Sequence, residues 1–402
     1  MADRVLSDFS ASSGITGYLF QVRYALLLLL EQDNPEAILS IEKFDDIAFE
    51  VGGSPSELLQ TKHHTSRTGS LSDASVDLWK TLRVWATAVK TRSVDLRSIL
   101  FTIVTTAQAS DGSAASFLRG DARRQPETAL QLIERAGASS QNTVVKKCLL
   151  VFHELSPSQR LATVSCIRVI DAAPNIRDAR DHLERKLRLS TRPQFLVSLC
   201  DRLEGWWFRS AIEHLNRPEE IKGISQRLVQ VQLNDLQDQF REDNLPNDFP
   251  KLLDLDETSL SADDRIFVEQ LKLLSIGSER IKRAISDYYR AFNQRSRWVR
   301  EDLLLDHDLE LYEDRLVDEW RNLFLIMEEQ IGAGAEVEEA GRELYNELCY
   351  TSRHIPIRPS FPDPFVMRGS LHMLANGLKV GWHSEFETRL SHLLVRAVRP
   401  AA

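Results

Sequence analysis

Gln60, fourteen residues beyond Asp46, and Lys62, two positions farther on, are the residues of this chain whose types and spacing can do chemistry. A carboxylate and the side-chain oxygen of an amide can hold Mg²⁺, or Mn²⁺ in its place. A lysine beside them can position or polarise an attacking water and offset the charge of a phosphorane-like transition state. Residues i and i+2 of a strand share a face, so a strand carrying Gln60-Thr61-Lys62 directs Gln60 and Lys62 together. The acid comes from Ile41-Glu42-Lys43-Phe44-Asp45-Asp46-Ile47. Asp46 is the first candidate ligand. Asp45 points the other way along a regular strand, unless a bulge exchanges the two. Glu42 shares the parity of Asp46 and reads either as a further metal ligand or as a solvated strand residue. Q-x-K by itself is a common string, so the weight rests on its context.

That context is a succession of elements. Thr16 to Gln32 has helix periodicity, with Tyr18, Gln21, Ala25 and Leu28 recurring on it. Gln21 either reaches the Asp46–Gln60 group or fixes the following hairpin as a buried amide. Ala37 to Glu50 leans to strand, Gly52-Gly53-Ser54-Pro55 is a turn, and Glu57 to His64 is a second strand. Asp73 to Thr91 is an amphipathic helix, with Leu78, Leu82, Trp85 and Val89 on its apolar face. Ser98 to Thr106 is a near-continuous apolar run, the pattern of a strand at the centre of a covered sheet. The order helix, hairpin, strand, helix, strand is the αβββαβ arrangement of restriction-endonuclease-like folds. The N-terminal region is therefore expected to be α+β or α/β, and the rest of the chain mostly helical. Residues 1–200 are read as the domain carrying Asp46, Gln60 and Lys62. Residues 201–331 are read as a helical region for regulation or self-association, and 332–402 as a C-terminal module. Within that module the prolines from Ile355 to Pro364 forbid helix.

Lys80, Arg83 and Lys90 share a helix face, and with His63 they are the candidates for contact with DNA phosphates, which position DNA without reading sequence. A charged helix face is otherwise simply solvated. Cys349, His354, His372 and His383 have no zinc spacing, and a packing role for the two later histidines is the simpler reading. The formal net charge of −9 argues against a protein that coats nucleic acid, yet leaves room for a local basic groove. The four scattered cysteines suggest buried thiols in a reducing compartment. No leucine run approaches a membrane span, so a cytosolic, membrane-free protein is expected. No phosphate-binding glycine loop is present, so any ATPase must be a partner.

Four blocks, Gly17-Tyr18-Leu19-Phe20-Gln21, Glu42 to Ile47, Gln60-Thr61-Lys62-His63-His64 and Asp77-Leu78-Trp79-Lys80-Thr81, occur in this order over the first quarter of the chain. Together they resemble the Mrr-like, PD-(D/E)xK-type double-stranded-DNA endonuclease domain of bacterial antiphage effectors of the CBASS and Lamassu kinds. Arg368-Gly369-Ser370-Leu371-His372 and Val380-Gly381-Trp382-His383 are similar to the C-terminal domain of effectors in ABC three-component systems. The resemblance implies a Mg²⁺-dependent nuclease effector of bacterial antiphage defence. Its implied partners are an SMC-like ATPase and a small middle subunit that hold it inactive, with release or self-association permitting cleavage. It places the family's acid on Asp46 and its Q-x-K on Gln60 and Lys62. Gln60 departs from the wider (D/E)-x-K pattern. An amide brings no charge to the metal, so Asp46, with Glu42 if it is a ligand, must hold the ion more strongly.

Overall fold

An apolar run needs cover on both faces, and Leu100–Thr105 (β5) has it, with five of its six residues buried. The computed structural model describes residues 11–42, 46–62, 70–173, 176–218, 220–221, 223–254, 263–351 and 354–397. It divides into two units, Met1–Leu236 and Gln237–Ala402.

The first unit is built on a mixed sheet of six strands. Helix α1 (Ala11–Glu31) leads into β1 (Ile38–Ile41), β2 (Ile47–Val51) and β3 (Ser54–Lys62). A two-residue strand β4 (Ser70–Leu71) and helix α2 (Val76–Lys90) precede β5, which is followed by the short β6 (Gln108–Ala109), β7 (Ile167–Ile170) and β8 (Ile224–Ser225). The sheet order is β7-β5-β3-β2-β1-β8, with β3, β5 and β7 parallel to one another and the β1–β2 and β2–β3 pairs antiparallel. Gly52 and Gly53 adopt φ of 59° and 81°, the left-handed pair that closes a tight β2–β3 hairpin. One sheet face is packed by α2 with α3 (Pro126–Ser139), α4 (Thr143–His153) and α5 (Pro157–Ser165). Trp85 of α2 stacks on Phe101 of β5 at 4.9 Å between ring centres. The helices α1, α6 (Ile176–Leu187) and α7 (Leu196–Asn216) form a second group, joined by Arg23–Glu204 and Arg180–Glu204 ion pairs, both 2.6 Å.

The expected strand from Ala37 to Glu50 is in fact two strands folded back on each other, with Ile41 paired to Ile47. The expected boundary at residue 200 falls inside α7. The sheet takes in residues as late as Ser225, because β8 pairs with β1. Helix α8 (Gln226–Gln239) carries the chain out of this unit.

The second unit contains α9 (Ile266–Leu273), α10 (Ser278–Arg300), α11 (Asp306–Gly332), α12 (Val337–Asn346), a π-turn at Glu347–Thr351, α13 (Phe365–Asn376) and α14 (Phe386–Ala397). Residues 355–364 carry no helix, as their prolines require. The boundary expected at 331–332 separates nothing here, since α12 packs on α11. Its main packing is α10 against α13, where Gly369 lets the backbones meet: a Cβ there would strike Asp287 O and Ala291 Cβ. The buried Asp287 carboxylate pairs with Arg368 at 2.5 Å and Arg290 at 3.2 Å.

His372 is fully buried, stacked on Phe267 at 5.1 Å, and neither ring nitrogen has a hydrogen-bond partner. Burial pushes its pKa down to about 3, with Arg368 and Arg265 adding to the effect. Its folded value lies below its unfolded one, so unfolding takes up a proton below the unfolded pKa. Stability is complete above that pKa and falls as pH drops toward 3, by at most ~1.4 kcal/mol per pH unit from this group. Denaturant unfolding between about pH 4 and 7 should show a smaller pH slope for His372→Phe than for the parent. Identical slopes would contradict this.

Candidate active site

Asp46 reaches the end of β3 because the chain reverses between β1 and β2. Glu42 N–H donates to Asp46 O at 3.0 Å, closing the reversal, and Glu42 takes φ +60° to do so. A non-glycine residue in the left-handed region is strained by about 1–3 kcal/mol and persists only where its surroundings impose it. Two side chains do so here. Gln21, buried on α1, donates from Nε2 both to Asp46 O and to Glu42 Oε1, the latter at 3.2 Å. His214, buried on α7, accepts the Ile41 N–H at Nε2 (3.2 Å) and is within 2.7 Å of Ile221 O at Nδ1. The latter bond requires the proton on Nδ1. β8 pairs only with Ile38 and Leu39, so the His214 ring takes over where the ladder stops. Of the two readings of Gln21, the structure shows the buried amide that fixes the turn. It also brings Gln21 against Glu42.

The register Ile47↔Leu59 continues with a side chain in place of a backbone carbonyl. Asp46 Oδ2 accepts the backbone N–H of Thr61 at 2.8 Å and the Thr61 hydroxyl at 3.0 Å. Asp46 is thereby fixed on the residue between Gln60 and Lys62. Gln60 is 6% exposed, and its Oε1 lies 3.4 Å from Thr81 Oγ1 of α2. That hydroxyl has one proton and a shorter bond, 2.9 Å, to Asp77 O. The Gln60 oxygen is therefore weakly engaged. Lys62 closes β3, in register with Thr105 of β5. Thr61 and Thr81 are contributors that spacing did not single out, although both stood inside quoted blocks. So is Tyr18, one turn before Gln21, whose phenol is pushed up by burial and by the Glu42 charge. Asp45, His63 and His64 lie outside the described residues, as does Lys43.

The donor set suits a hard cation. Mg²⁺ takes oxygen ligands, keeps several waters and needs only one or two carboxylates. Asp46, Gln60 and the exposed Glu42 supply that chemistry. Among the described residues no three of His, Cys, Asp and Glu converge as a metal cage. Glu42 does not share a strand with Asp46, because the turn intervenes. Its nearness comes through Gln21 instead.

Lys80, Arg83 and Lys90 are all exposed on α2. β3 and α2 meet near Thr81, so Lys80 lies at the Gln60 end of the helix. Lys90 is about 15 Å farther along the axis at 1.5 Å per residue. Its Nζ pairs with Glu154 at 2.5 Å. The same end of the sheet is closed by Asp171, which follows β7 and accepts from Arg119 (2.8 and 2.5 Å) and from Ala109 N–H (2.8 Å).

Residues 267–390 match the family model of C-terminal domain 7 of the ABC-three component (ABC-3C) systems. The match lies wholly in the second unit and supports a component of an ABC three-component system. A search of curated proteins gave no match. No helix among the described residues is long and apolar enough to cross a membrane. The two motifs that carried the C-terminal resemblance hold this unit together. Arg368 pairs with Asp287, Ser370 Oγ accepts from Arg295 at 3.1 Å, and His372 stacks on Phe267. Val380 O and Trp382 N–H both bond the buried Gln270 side chain, at 3.3 and 3.1 Å, and Gly381 O accepts from Trp320 at 2.8 Å.

Gln21→Ala removes both bonds from the turn. Denaturant unfolding should show a loss of ~1–2 kcal/mol. A variant as stable as the parent would mean that Gln21 does not hold the Asp46 turn.

Proposed function

We propose that the first unit is a divalent-metal-dependent endonuclease acting on double-stranded DNA. We further propose that the chain is the effector of an ABC three-component antiphage system. The observation that carries the nuclease reading is the placement of Asp46 on Thr61, between Gln60 and Lys62, within an αβββαβ succession. A restriction-endonuclease-like fold accounts for that succession. The defence role rests on the C-terminal family match.

In this reading Asp46 and Gln60 hold Mg²⁺ or Mn²⁺, with Glu42 as a further oxygen donor. Asp45 is its alternative if the turn presents it. When bound, the metal supplies Lewis acidity at the scissile phosphate and a water that is easier to deprotonate. Lys62 orients the attacking water and offsets charge on the phosphate. Thr61 keeps Asp46 aligned through two hydrogen bonds. Lys80 and Arg83, at or near the Gln60 end of α2, contact DNA phosphates, with His63 as a further contact. Lys90, already paired with Glu154, contributes least. The DNA enzyme is harmful to its own cell unless restrained. The SMC-like ATPase and small middle subunit supply the restraint, and self-association on release pairs two sites for a double-strand cut.

One observation favours a second reading. Gln60 is buried and sits on Thr81, as it would in a nuclease fold retained only as a DNA-binding or assembly adaptor.

The deciding experiment incubates circular and linear duplex DNA with the chain over a wide concentration range, with Mg²⁺ or chelator. A nuclease cuts only with metal, and Lys62→Ala lowers cleavage by 10²-fold or more while DNA binding changes little, the size usual for loss of one transition-state group. Metal-dependent cleavage undiminished in Lys62→Ala would remove Lys62 from the mechanism. An adaptor binds DNA and is indifferent to the substitution.

A further inference from the structure

The second unit carries a concentration of acid that its own ion pairs, such as Glu313 with Arg295 and Asp308 with Arg358, answer only in part. Between residues 301 and 347 there are sixteen Asp and Glu against three Arg and no Lys, whereas the whole chain is only −9. Several of these acids stand where helix electrostatics oppose them. Glu328 and Glu329 lie in the last turn of α11, which has no basic residue. The last turn of α12 also lacks a basic residue, contains Glu343 nearby and runs directly into Glu347. Helix C-termini are negative ends and favour cations. All four carboxylates are exposed, and none has an ion-pair partner among the described residues.

Two of them, Glu343 and Glu347, border a groove. A hollow of about 350 Å³ lies between α11 and α12, floored by Leu323, Ile326, Met327 and Leu344 and edged by Glu343 and Glu347. Ile326 is 51% exposed and Leu325, beside it, 45%. The half-exposed Ile326 beside the unpaired Glu343 and Glu347 suits neither solvent nor DNA, whose phosphates the acid repels. A second copy of this same surface would be repelled as well. What complements it is an apolar side chain carried between cations.

We propose that the α11–α12 groove docks a Lys/Arg-rich amphipathic helix of a partner protein, with its apolar side chains seated on Ile326 and Leu344 and its cations on Glu343 and Glu347. The proposal rests on the reading of this unit as the part that joins a multi-component system. It names the surface and the chemistry of the partner segment. The motifs shared with the C-terminal family occupy the interior, so they leave this outer face to set partner choice.

The test uses the full chain and an 18-residue helical peptide with leucines at i, i+3, i+4 and i+7 and lysine or arginine elsewhere. Two control peptides replace either the leucines with serine or the cations with glutamate. Binding is read by fluorescence anisotropy at low and moderate salt. The parent should bind the first peptide at least tenfold more tightly than either control. Ile326→Ser and the double substitution Glu343→Lys with Glu347→Lys should each weaken binding tenfold or more, with Tm unchanged or raised. The charge-reversed protein should instead prefer the glutamate peptide. Equal binding of the serine control, or no loss in Ile326→Ser, would reduce the effect to bulk charge attraction and overturn the proposal, as would no binding at all. DNA cleavage by these variants should match the parent, so failure of the docking reading and failure of the nuclease reading appear in separate assays.

Discussion

The hydrogen bonds from Thr61 to the Asp46 carboxylate are the constraint on which the candidate site depends. Asp46 is not in a strand. It is delivered to the end of β3 by a reversal that needs a left-handed Glu42, a buried glutamine from α1 and a buried histidine from α7. The helices that pack against the sheet thus also hold Asp46 against Thr61, between Gln60 and Lys62 in the strand. A site assembled this way is preorganised by its scaffold, because the turn cannot relax without breaking contacts in three elements.

Much of the first unit was legible in the sequence. The apolar run of β5, the Gly-Gly turn and the amphipathic stripe of α2 each specify their element through one local rule, and each appears within a few residues of its expected limits. The reversal between Ile41 and Ile47 was not legible. Every residue around it is β-prone or polar without a glycine or proline to mark a turn, and its support comes from Gln21 and His214, far off in sequence. Parity arguments across that segment therefore failed for Glu42, whose relation to Asp46 runs through the Gln21 amide. The roles of Thr61 and Thr81 were hidden for a similar reason. A threonine in a strand or helix says nothing until its hydroxyl has a partner.

The second unit shows the opposite balance. Its motifs carried a family resemblance, with a packing role expected for His372 and His383, and they are the centre of the packing: Gly369 and Gly381 permit close approach, while Arg368 and Ser370 pair with buried groups and Gln270 bonds the backbone at Val380 and Trp382. Such residues identify a fold. The outer face is composed differently: acids stand at the negative ends of α11 and α12, and the half-exposed Ile326 lies in a hollow edged by Glu343 and Glu347. Stability alone would favour lysine at those helix ends. A local rule broken without compensation inside the chain is where binding has the most to gain.

The central claim is that the β1–β2 turn brings Asp46 to β3 as the carboxylate of a metal site. Titration of Mn²⁺ into the purified chain and into Asp46→Asn, read by the electron paramagnetic resonance of free Mn²⁺, tests it without reference to DNA or partners. The account predicts saturable binding by the parent that is weakened at least tenfold in Asp46→Asn, because the substitution removes the anionic ligand and keeps its shape. Equal binding by both proteins, or binding by neither, would contradict it.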